Sequence, residues 1–381
     1  MLRRIFVWSS VGFIFLNLLH YFSLRPLWLD EQYVFASVHD YNYLQIFGPL
    51  KTQQAFPRVY LVIVKFLSQA FDYHLLALRF FSLVSMLAAF FVWIRLYQRH
   101  IKEDWVEFFS ILAFVCSFRL SYYAAELKPY SMDVLVAGLF CGFFYYQEKF
   151  KDKSPSLQLY CLSGLLPFLI FFSYAGLFIF WIAIVNFLIL TIQNRRLTPV
   201  LIVNIVSSLL CYWILYHVDL RHFIYFGGYY SYWKNYFLSV ESLKGFFTPF
   251  GEGFVEMSTW WYGDTRWLKK MAMGFVPILL YALIRYGGKV RKGEWGIFTM
   301  ERLAIVLFLE LIVLSVLKKY PFTGDRITLF MAPLVFCLIA QGIYGLKRIK
   351  ILYWTYSLYY PIFLFLCFIS AFVHYLNLYP K

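Results

Sequence analysis

The first 36 residues, MLRRIFVWSSVGFIFLNLLHYFSLRPLWLDEQYVFA (residues 1–36), decide the class of fold. Two arginines precede an apolar run that continues to about Leu24, close to the roughly 20 residues that cross a bilayer as a helix. The chain leaves this run at Arg25 and then carries two adjacent carboxylates, Asp30 and Glu31. Bulky residues stand where a signal peptide would have a small-residue cleavage site, so we expect an uncleaved first helix.

The composition of the rest of the chain fits the same class. Of the 381 residues, 62% are hydrophobic and 14% are charged, whereas an ordinary globular domain has about 25% charged residues. Apolar runs near spanning length recur along the sequence, which predicts an all-α polytopic membrane protein. We predict about 11 transmembrane helices, over residues 5–24, 75–97, 105–118, 130–147, 157–173, 176–192, 200–217, 270–286, 301–317, 328–344 and 351–373.

These spans predict one continuous membrane domain in two parts. The N-terminal part, residues 1–192, holds the first long outer loop, 25–74, which carries the Asp-Glu pair. The C-terminal part, residues 193–381, holds the second outer loop, 218–269. The apolar stretch 57–71 contains basic residues, and we predict a helix that lies at the membrane surface or dips in from one side. If that stretch spans instead, the topology shifts by one.

The formal charge of +15 is informative about orientation. In a soluble protein it would suggest nucleic acid, but here membrane topology and anionic lipid or phosphate partners account for it, so we expect no nucleic-acid partner. With a cytoplasmic N-terminus, every predicted cytoplasmic loop is basic, as the positive-inside rule requires. The basic positions fall in the segments 3–4, 95–102, 149–153, 195–196, 285–292 and 347–350.

Polar clusters follow apolar segments on the predicted outer side. They are WLDEQY (28–33), SYYAAELKPYSMD (121–133) and LKKYPFTGDR (317–326), with Arg58 in QAFPRVY (54–60) as a fourth. Charges near a membrane core are costly and usually functional. Carboxylates can take a proton from a hydroxyl, and lysine or arginine can hold a phosphate. An outer site that offers both suits group transfer from a phosphate-linked lipid; the alternative is salt bridging that holds the loops together.

The two acids of the first cluster cannot have the same role. Asp30 and Glu31 are neighbours in sequence, so on a helix or strand their side chains point in different directions. This arrangement excludes a pair of carboxylates that straddles one glycosidic bond. One acid can face the reacting centre while the other orients a helix, a lysine or a metal.

With these motifs the sequence resembles the GT-C glycosyltransferase superfamily, and most closely its protein O-mannosyltransferase and lipid A aminoarabinose transferase branch. The resemblance rests on the ordered set of motifs, which covers roughly residues 1–190 and 318–335. The set comprises Asp30-Glu31 after the first helix, FPRVYLVIVKF (56–66), LRFFSLVSML (78–87), YYAAELKPYSMD (122–133) and YPFTGDR (320–326).

The resemblance implies a GT-C type fold with membrane-surface helices in the first outer loop. It also implies a bacterial inner-membrane enzyme that transfers a sugar from a polyprenyl-phosphate donor to a hydroxyl of a lipid, glycan or protein on the periplasmic side. In that activity Asp30 would be the general base, Glu31 would support it, and Arg58, Lys128 and Arg326 would bind the donor phosphate. Glu126 and Tyr130 would orient the substrate, and Tyr320 would line the carrier groove.

No DxD or DxE motif occurs in the outer loops, so we expect no cofactor and favour a metal-free reaction, with a divalent metal as the open alternative. Two other functions stay open. One is a transporter or flippase for a lipid-linked or anionic substrate, although the internal repeats typical of transporters are not evident. The other is a non-catalytic subunit of a membrane assembly, against which the Asp30-Glu31 pair argues.

Overall fold

A computed structural model describes residues 2–52, 54, 56–221, 231–259, 262, 265–290 and 299–378. Helices dominate these ranges, and no strand occurs within them. Residues 222–230 of the second predicted outer loop and residues 291–292 of the basic segment 285–292 lie outside the described residues.

The helices of the N-terminal part begin close to the predicted positions. In chain order they are α1 (Leu2–Phe22), α2 (Leu29–Asp40), α3 (Arg58–Gln69), α4 (Leu75–His100), α5 (Asp104–Cys116), α6 (Phe118–Tyr123), α7 (Tyr130–Glu148), α8 (Leu157–Leu165) and α9 (Gly176–Gln193). The C-terminal part adds α10 (Thr198–Leu215), α11 (Leu243–Thr259), α12 (Arg266–Ala272), α13 (Val276–Val290), α14 (Met300–Val316), α15 (Ala332–Gly345) and α16 (Lys350–Leu376).

A helical segment coincides with each predicted span. Within the described residues, 6 helices have both the length and the composition needed to cross a membrane, and they run over Leu75–His100, Gly176–Gln193, Arg195–Leu220, Arg266–Gly287, Arg326–Arg348 and Lys350–Leu376. The chain is therefore a multi-pass membrane protein, and the count of 11 crossings stays a prediction. Helix α3 has 12 residues and is about 18 Å long, too short for a hydrocarbon core of about 30 Å.

Close packing of α4 on α7 forms the spine of the N-terminal part. The indole Nε1 of Trp93 in α4 donates a hydrogen bond of 2.9 Å to the carbonyl of Val134 in α7. One turn later, a Cβ on Gly138 would lie 2.8 Å from Cγ1 of Val92 and 3.0 Å from Nε1 of Trp93, so a larger residue would crowd these two side chains. Both helices begin at the end of the bundle that carries the acidic motif.

Helix α15 is the buried centre of the C-terminal part. Nearly all of its residues are inaccessible to solvent, and it packs against α5, α13 and α14. The hydroxyl of Tyr97 in α4 donates a hydrogen bond of 2.7 Å to the carbonyl of Pro333, which joins the two parts. The segment before α15 contains the YPFTGDR motif, and its Arg326 contacts Asp30 of the first outer loop.

Candidate functional site

The acidic motif forms the N-terminus of α2. Glu31 occupies the third position of this helix, and its carboxylate accepts the backbone N–H of Trp28 at 3.3 Å. This bond satisfies one of the free donors at the helix start, as in a capping box. Negative charge in the first turn also complements the helix dipole. The residue types of the motif therefore explain why a helix begins here.

Glu31 is fully buried and holds several segments together. Arg79 of α4 binds it with two nitrogens, Nε to Oε1 at 3.0 Å and Nη2 to Oε2 at 2.9 Å. Arg25 donates from Nη1 to Oε2 at 3.0 Å, and the backbone N–H of Leu127 donates to Oε1 at 2.8 Å. Glu31 thus joins α2 and α4 to the loop between α6 and α7, and it does not face an open space.

Glu126 extends this buried network. Its Oε1 accepts a hydrogen bond from Nη2 of Arg25 at 3.2 Å, and its Oε2 has no hydrogen-bond partner among the described residues. Loss of hydration on burial raises the pKa of Glu126 to about 7, against the opposing effect of Arg25. Its backbone carbonyl accepts a bond of 2.5 Å from the Ser82 hydroxyl. Glu126 is therefore a buried partner of Arg25 in the network at the start of α2.

Asp30 points away from this network and is the accessible acid of the pair. Its side chain is 23% exposed, and its Oδ2 lies 2.8 Å from Nη2 of Arg326 and 4.0 Å from Nζ of Lys128. The Arg326 guanidinium also lies over the Trp28 ring, 5.2 Å from its centroid. Three motifs that are far apart in the sequence thus meet at one carboxylate.

Lys128 is largely enclosed on its other sides. Its side chain is 7% exposed, and Nζ donates a hydrogen bond of 3.2 Å to Gln54 and lies 5.7 Å from the centroid of the Phe56 ring. Burial lowers the pKa of Lys128 to about 8, although the nearby Asp30 carboxylate opposes this shift. The ammonium is charged at neutral pH and close to the point at which it loses its proton.

The loop that presents Arg326 is fixed on α11. Glu256 accepts hydrogen bonds from the Thr323 hydroxyl at 2.6 Å and from the Gly324 N–H at 3.2 Å. A Cβ on Gly324 would lie 2.3 Å from the Glu256 carbonyl carbon, so a larger residue would displace the loop. Asp325 then accepts the backbone N–H of Arg326 at 2.6 Å and starts a short 3₁₀ helix. These contacts hold Arg326 in place against Asp30.

The two predicted tyrosines are half-buried in aromatic surroundings. The Tyr130 ring meets the Tyr123 ring edge-on at 5.0 Å, at the start of α7. The Tyr320 hydroxyl donates to the Ile327 carbonyl at 2.8 Å, and its ring lies 4.5 Å from the Phe178 ring. Tyr320 therefore braces the Arg326 loop.

Arg58 lies in a different ion pair. It is buried at the start of α3, where its Nη2 binds the carboxylate of Asp219, which also accepts a hydrogen bond from Tyr174. The structure therefore does not join Arg58 to the Asp30 ion pair. Two of its nitrogens, Nε and Nη1, are buried without a hydrogen-bond partner among the described residues.

Three charged residues of this region were not predicted as site residues: Arg25, Arg79 and Asp219. A signal was available for Arg79, because an arginine inside an apolar run is a functional candidate and it stands in the LRFFSLVSML motif. Arg25 directly follows the first apolar run. Asp219 offered no local signal, because only the tertiary fold brings it to Arg58.

Comparison with solved structures supports the predicted architecture. The chain is similar to the crystal structure of ArnT from Cupriavidus metallidurans in the apo state, with a TM-score of 0.52 and 12% identity over 92% of this chain and 62% of that chain. It is also similar to ArnT from Cupriavidus metallidurans bound to undecaprenyl phosphate, with a TM-score of 0.53 and 12% identity over 97% of this chain and 76% of that chain. No protein-family model and no curated protein sequence matches the chain.

The likeness to ArnT confirms the all-helical membrane fold of GT-C type. The chain covers about 62% of the length of ArnT in the apo-state structure. The chemical capacity of the site comes from its own geometry. The partly exposed carboxylate can accept a proton, and the arginine and lysine beside it can bind an anion. No group of three or more candidate metal ligands occurs among the residues described.

Proposed function

We propose that this protein is an integral-membrane glycosyltransferase that transfers a sugar from a polyprenyl-phosphate donor to a hydroxyl acceptor. The observation that carries the proposal is the convergence of Asp30, Lys128 and Arg326 at one end of a GT-C type helical bundle. The fold match includes ArnT bound to undecaprenyl phosphate, which has the chemistry of the carrier that the proposed donor would release.

In the proposed step, the acceptor oxygen attacks the anomeric carbon of the sugar while its proton moves to the Asp30 carboxylate. A carbon–oxygen bond forms to the acceptor, and the bond between the anomeric carbon and the phosphate oxygen breaks. The phosphodiester of the donor, with one negative charge, leaves as a polyprenyl phosphate monoester with two. Asp30 loses one negative charge as the phosphate gains one, so the charge of the site is conserved.

The two cations match this movement of charge. Lys128 and Arg326 would bind the donor phosphate and stabilise the charge that grows on it in the transition state. They now compensate the Asp30 carboxylate, and a phosphate would compete with that carboxylate for them. Donor binding would thereby release Asp30 to accept the acceptor proton.

The remaining predicted residues have supporting roles in this proposal. Glu31 and Glu126 hold the start of α2, Tyr130 lines the site, and Tyr320 braces the Arg326 loop. Arg58 stays paired with Asp219 and supports the start of α3. The reaction is proposed to need no metal, because two cations adjacent to Asp30 disfavour a third. We place the site on the periplasmic side of a bacterial inner membrane, with the N-terminus in the cytoplasm, and the acceptor hydroxyl on a lipid, glycan or protein.

The test is transfer in vitro by the purified protein, with radiolabelled polyprenyl-phosphate sugars and a membrane-envelope extract as the source of acceptors. We expect label to move from the carrier to a new product and free polyprenyl phosphate to accumulate in equal amount. Movement of the intact labelled carrier across proteoliposomes, with no transfer, would instead identify a flippase.

Arg326→Gln should lower kcat/KM for the donor by roughly 10²–10³-fold, because one cation that stabilises the leaving phosphate is lost. Arg326→Lys should recover part of the loss, since it keeps the charge but not the planar pair of donors. Lys319→Gln, at an exposed cation of the same loop, is the matched control and should have little effect. Equal activity of Arg326→Gln and the control would contradict the assignment.

The activity should also fall above pH 8. Lys128 binds the phosphate in its charged form, and its pKa of about 8 means that the charged fraction declines as the pH rises through this value. Because kcat/KM reports the free enzyme, its high-pH limb should follow this group. Lys128→Arg should remove that limb, since arginine stays charged. An unchanged limb in the arginine variant would show that another group titrates.

A further inference from the structure

A cavity lies between α4 and α7, at the opposite end of these helices from Asp30. Its volume is about 490 Å³. Arg79, which binds Glu31, stands near the start of α4, and His100 ends this helix. The 21 intervening steps correspond to roughly 30 Å along the helix axis, about the thickness of the hydrocarbon core. The cavity is therefore separate from the candidate reaction site.

One rim of the cavity is strongly basic. Arg95 and Arg99 are four residues apart, so they lie on one face of α4, and Lys149 faces them from the end of α7. All three side chains are exposed, and no acidic residue lines this cavity within the described part of the chain. Such a rim attracts an anion.

The wall of the cavity toward the bilayer centre is apolar. It is formed by Phe91 and Leu96 of α4 and by Gly142 of α7. A Cβ added to Gly142 would have only Leu96 Cδ2 nearby, at 3.9 Å, so the missing side chain leaves open space. A free anion would use the basic rim but not this wall, whereas a lipid would occupy both.

We propose that this cavity binds an anionic phospholipid. Its phosphate lies among Arg95, Arg99 and Lys149, and an acyl chain lies along Phe91 and Leu96. Basic pockets between membrane helices on the cytoplasmic side are suited to anionic headgroups, which matches the predicted orientation of this end of the bundle. A zwitterionic lipid would place a choline cation next to three others and would bind less well.

The experiment is native mass spectrometry of the purified full-length protein in detergent, titrated with phosphatidylglycerol, phosphatidylcholine or inorganic phosphate. The test variant is Arg95→Gln/Arg99→Gln/Lys149→Gln. The control, Arg195→Gln/Arg348→Gln/Lys350→Gln, removes the same number of exposed charges from other basic loops. We expect the affinity of the test variant for phosphatidylglycerol to fall by at least about tenfold, and the affinity of the control to match that of the wild type.

A second variant keeps all the charges and alters only the cavity. Gly142→Leu should fill the space beside Leu96 and weaken phosphatidylglycerol binding, with no change in the binding of inorganic phosphate. Equal affinity of the test and control variants for phosphatidylglycerol would overturn the proposal. So would binding of inorganic phosphate as tight as that of the lipid, or equal binding of phosphatidylcholine. None of these readings depends on transfer activity.

Discussion

Replacement of Asp30 by asparagine should lower kcat for sugar transfer by roughly 10²–10⁴-fold, the usual contribution of a positioned general base. Asparagine has nearly the same size and still accepts a hydrogen bond from Arg326. It cannot take the proton of the acceptor hydroxyl. The side chain is partly exposed and contributes no bond to the buried network, so the variant should fold normally.

Donor binding separates this role from a structural one. In the wild type, Asp30 forms ion pairs with Arg326 and Lys128, and a donor phosphate must compete with the Asp30 carboxylate for these two cations. Asp30→Asn should therefore bind polyprenyl phosphate at least as tightly as the wild type while its kcat falls. Binding measured by titration calorimetry, together with single-turnover transfer, gives both quantities.

The matched control is Asp40→Asn, because Asp40 lies in the same helix. Its carboxylate is exposed and pairs with Lys51 and His39 at the surface. We expect kcat of this variant to stay within about twofold of the wild-type value, since exposed ion pairs contribute little. Wild-type transfer by Asp30→Asn, or an equal loss in both variants, would exclude Asp30 as the base.

The sequence was sufficient to predict a helical segment at each apolar run. Among the described residues, 6 of these helices have both the length and the composition that a bilayer requires. It was also sufficient to predict that Asp30 and Glu31 point in different directions, since adjacent residues of a helix do so. The structure places Glu31 inward and leaves Asp30 partly exposed, as that argument requires.

The partners of these acids were harder to predict, because they depend on tertiary contacts. Arg326 was included from its motif, and it reaches Asp30 only because the loop at Gly324 docks on α11. Arg58 was assigned to the same cluster, but the fold places Asp219 against it. No local pattern in a sequence distinguishes a cation that binds a substrate from one that is already paired.

Glu31→Gln should destabilise the protein by about 3–5 kcal/mol, the cost of removing one partner from a buried ion pair. The amide keeps the size of the side chain but places N–H donors against Arg79 and Arg25, which are themselves donors. Arg25 retains Glu126, whereas Arg79 loses its acidic partner. The free energy of unfolding in detergent, measured by denaturant titration, reports this loss.

A double variant tests whether the loss comes from this pair. Glu31→Gln/Arg79→Met removes the uncompensated charge and should be more stable than Glu31→Gln alone, because residues in one network are not additive. The transfer rate per folded molecule should fall far less in Glu31→Gln than in Asp30→Asn, because the fully buried Glu31 carboxylate does not reach the substrate. If Glu31→Gln unfolds like the wild type but loses transfer as completely as Asp30→Asn, Glu31 takes part in the chemistry and does not merely position α2.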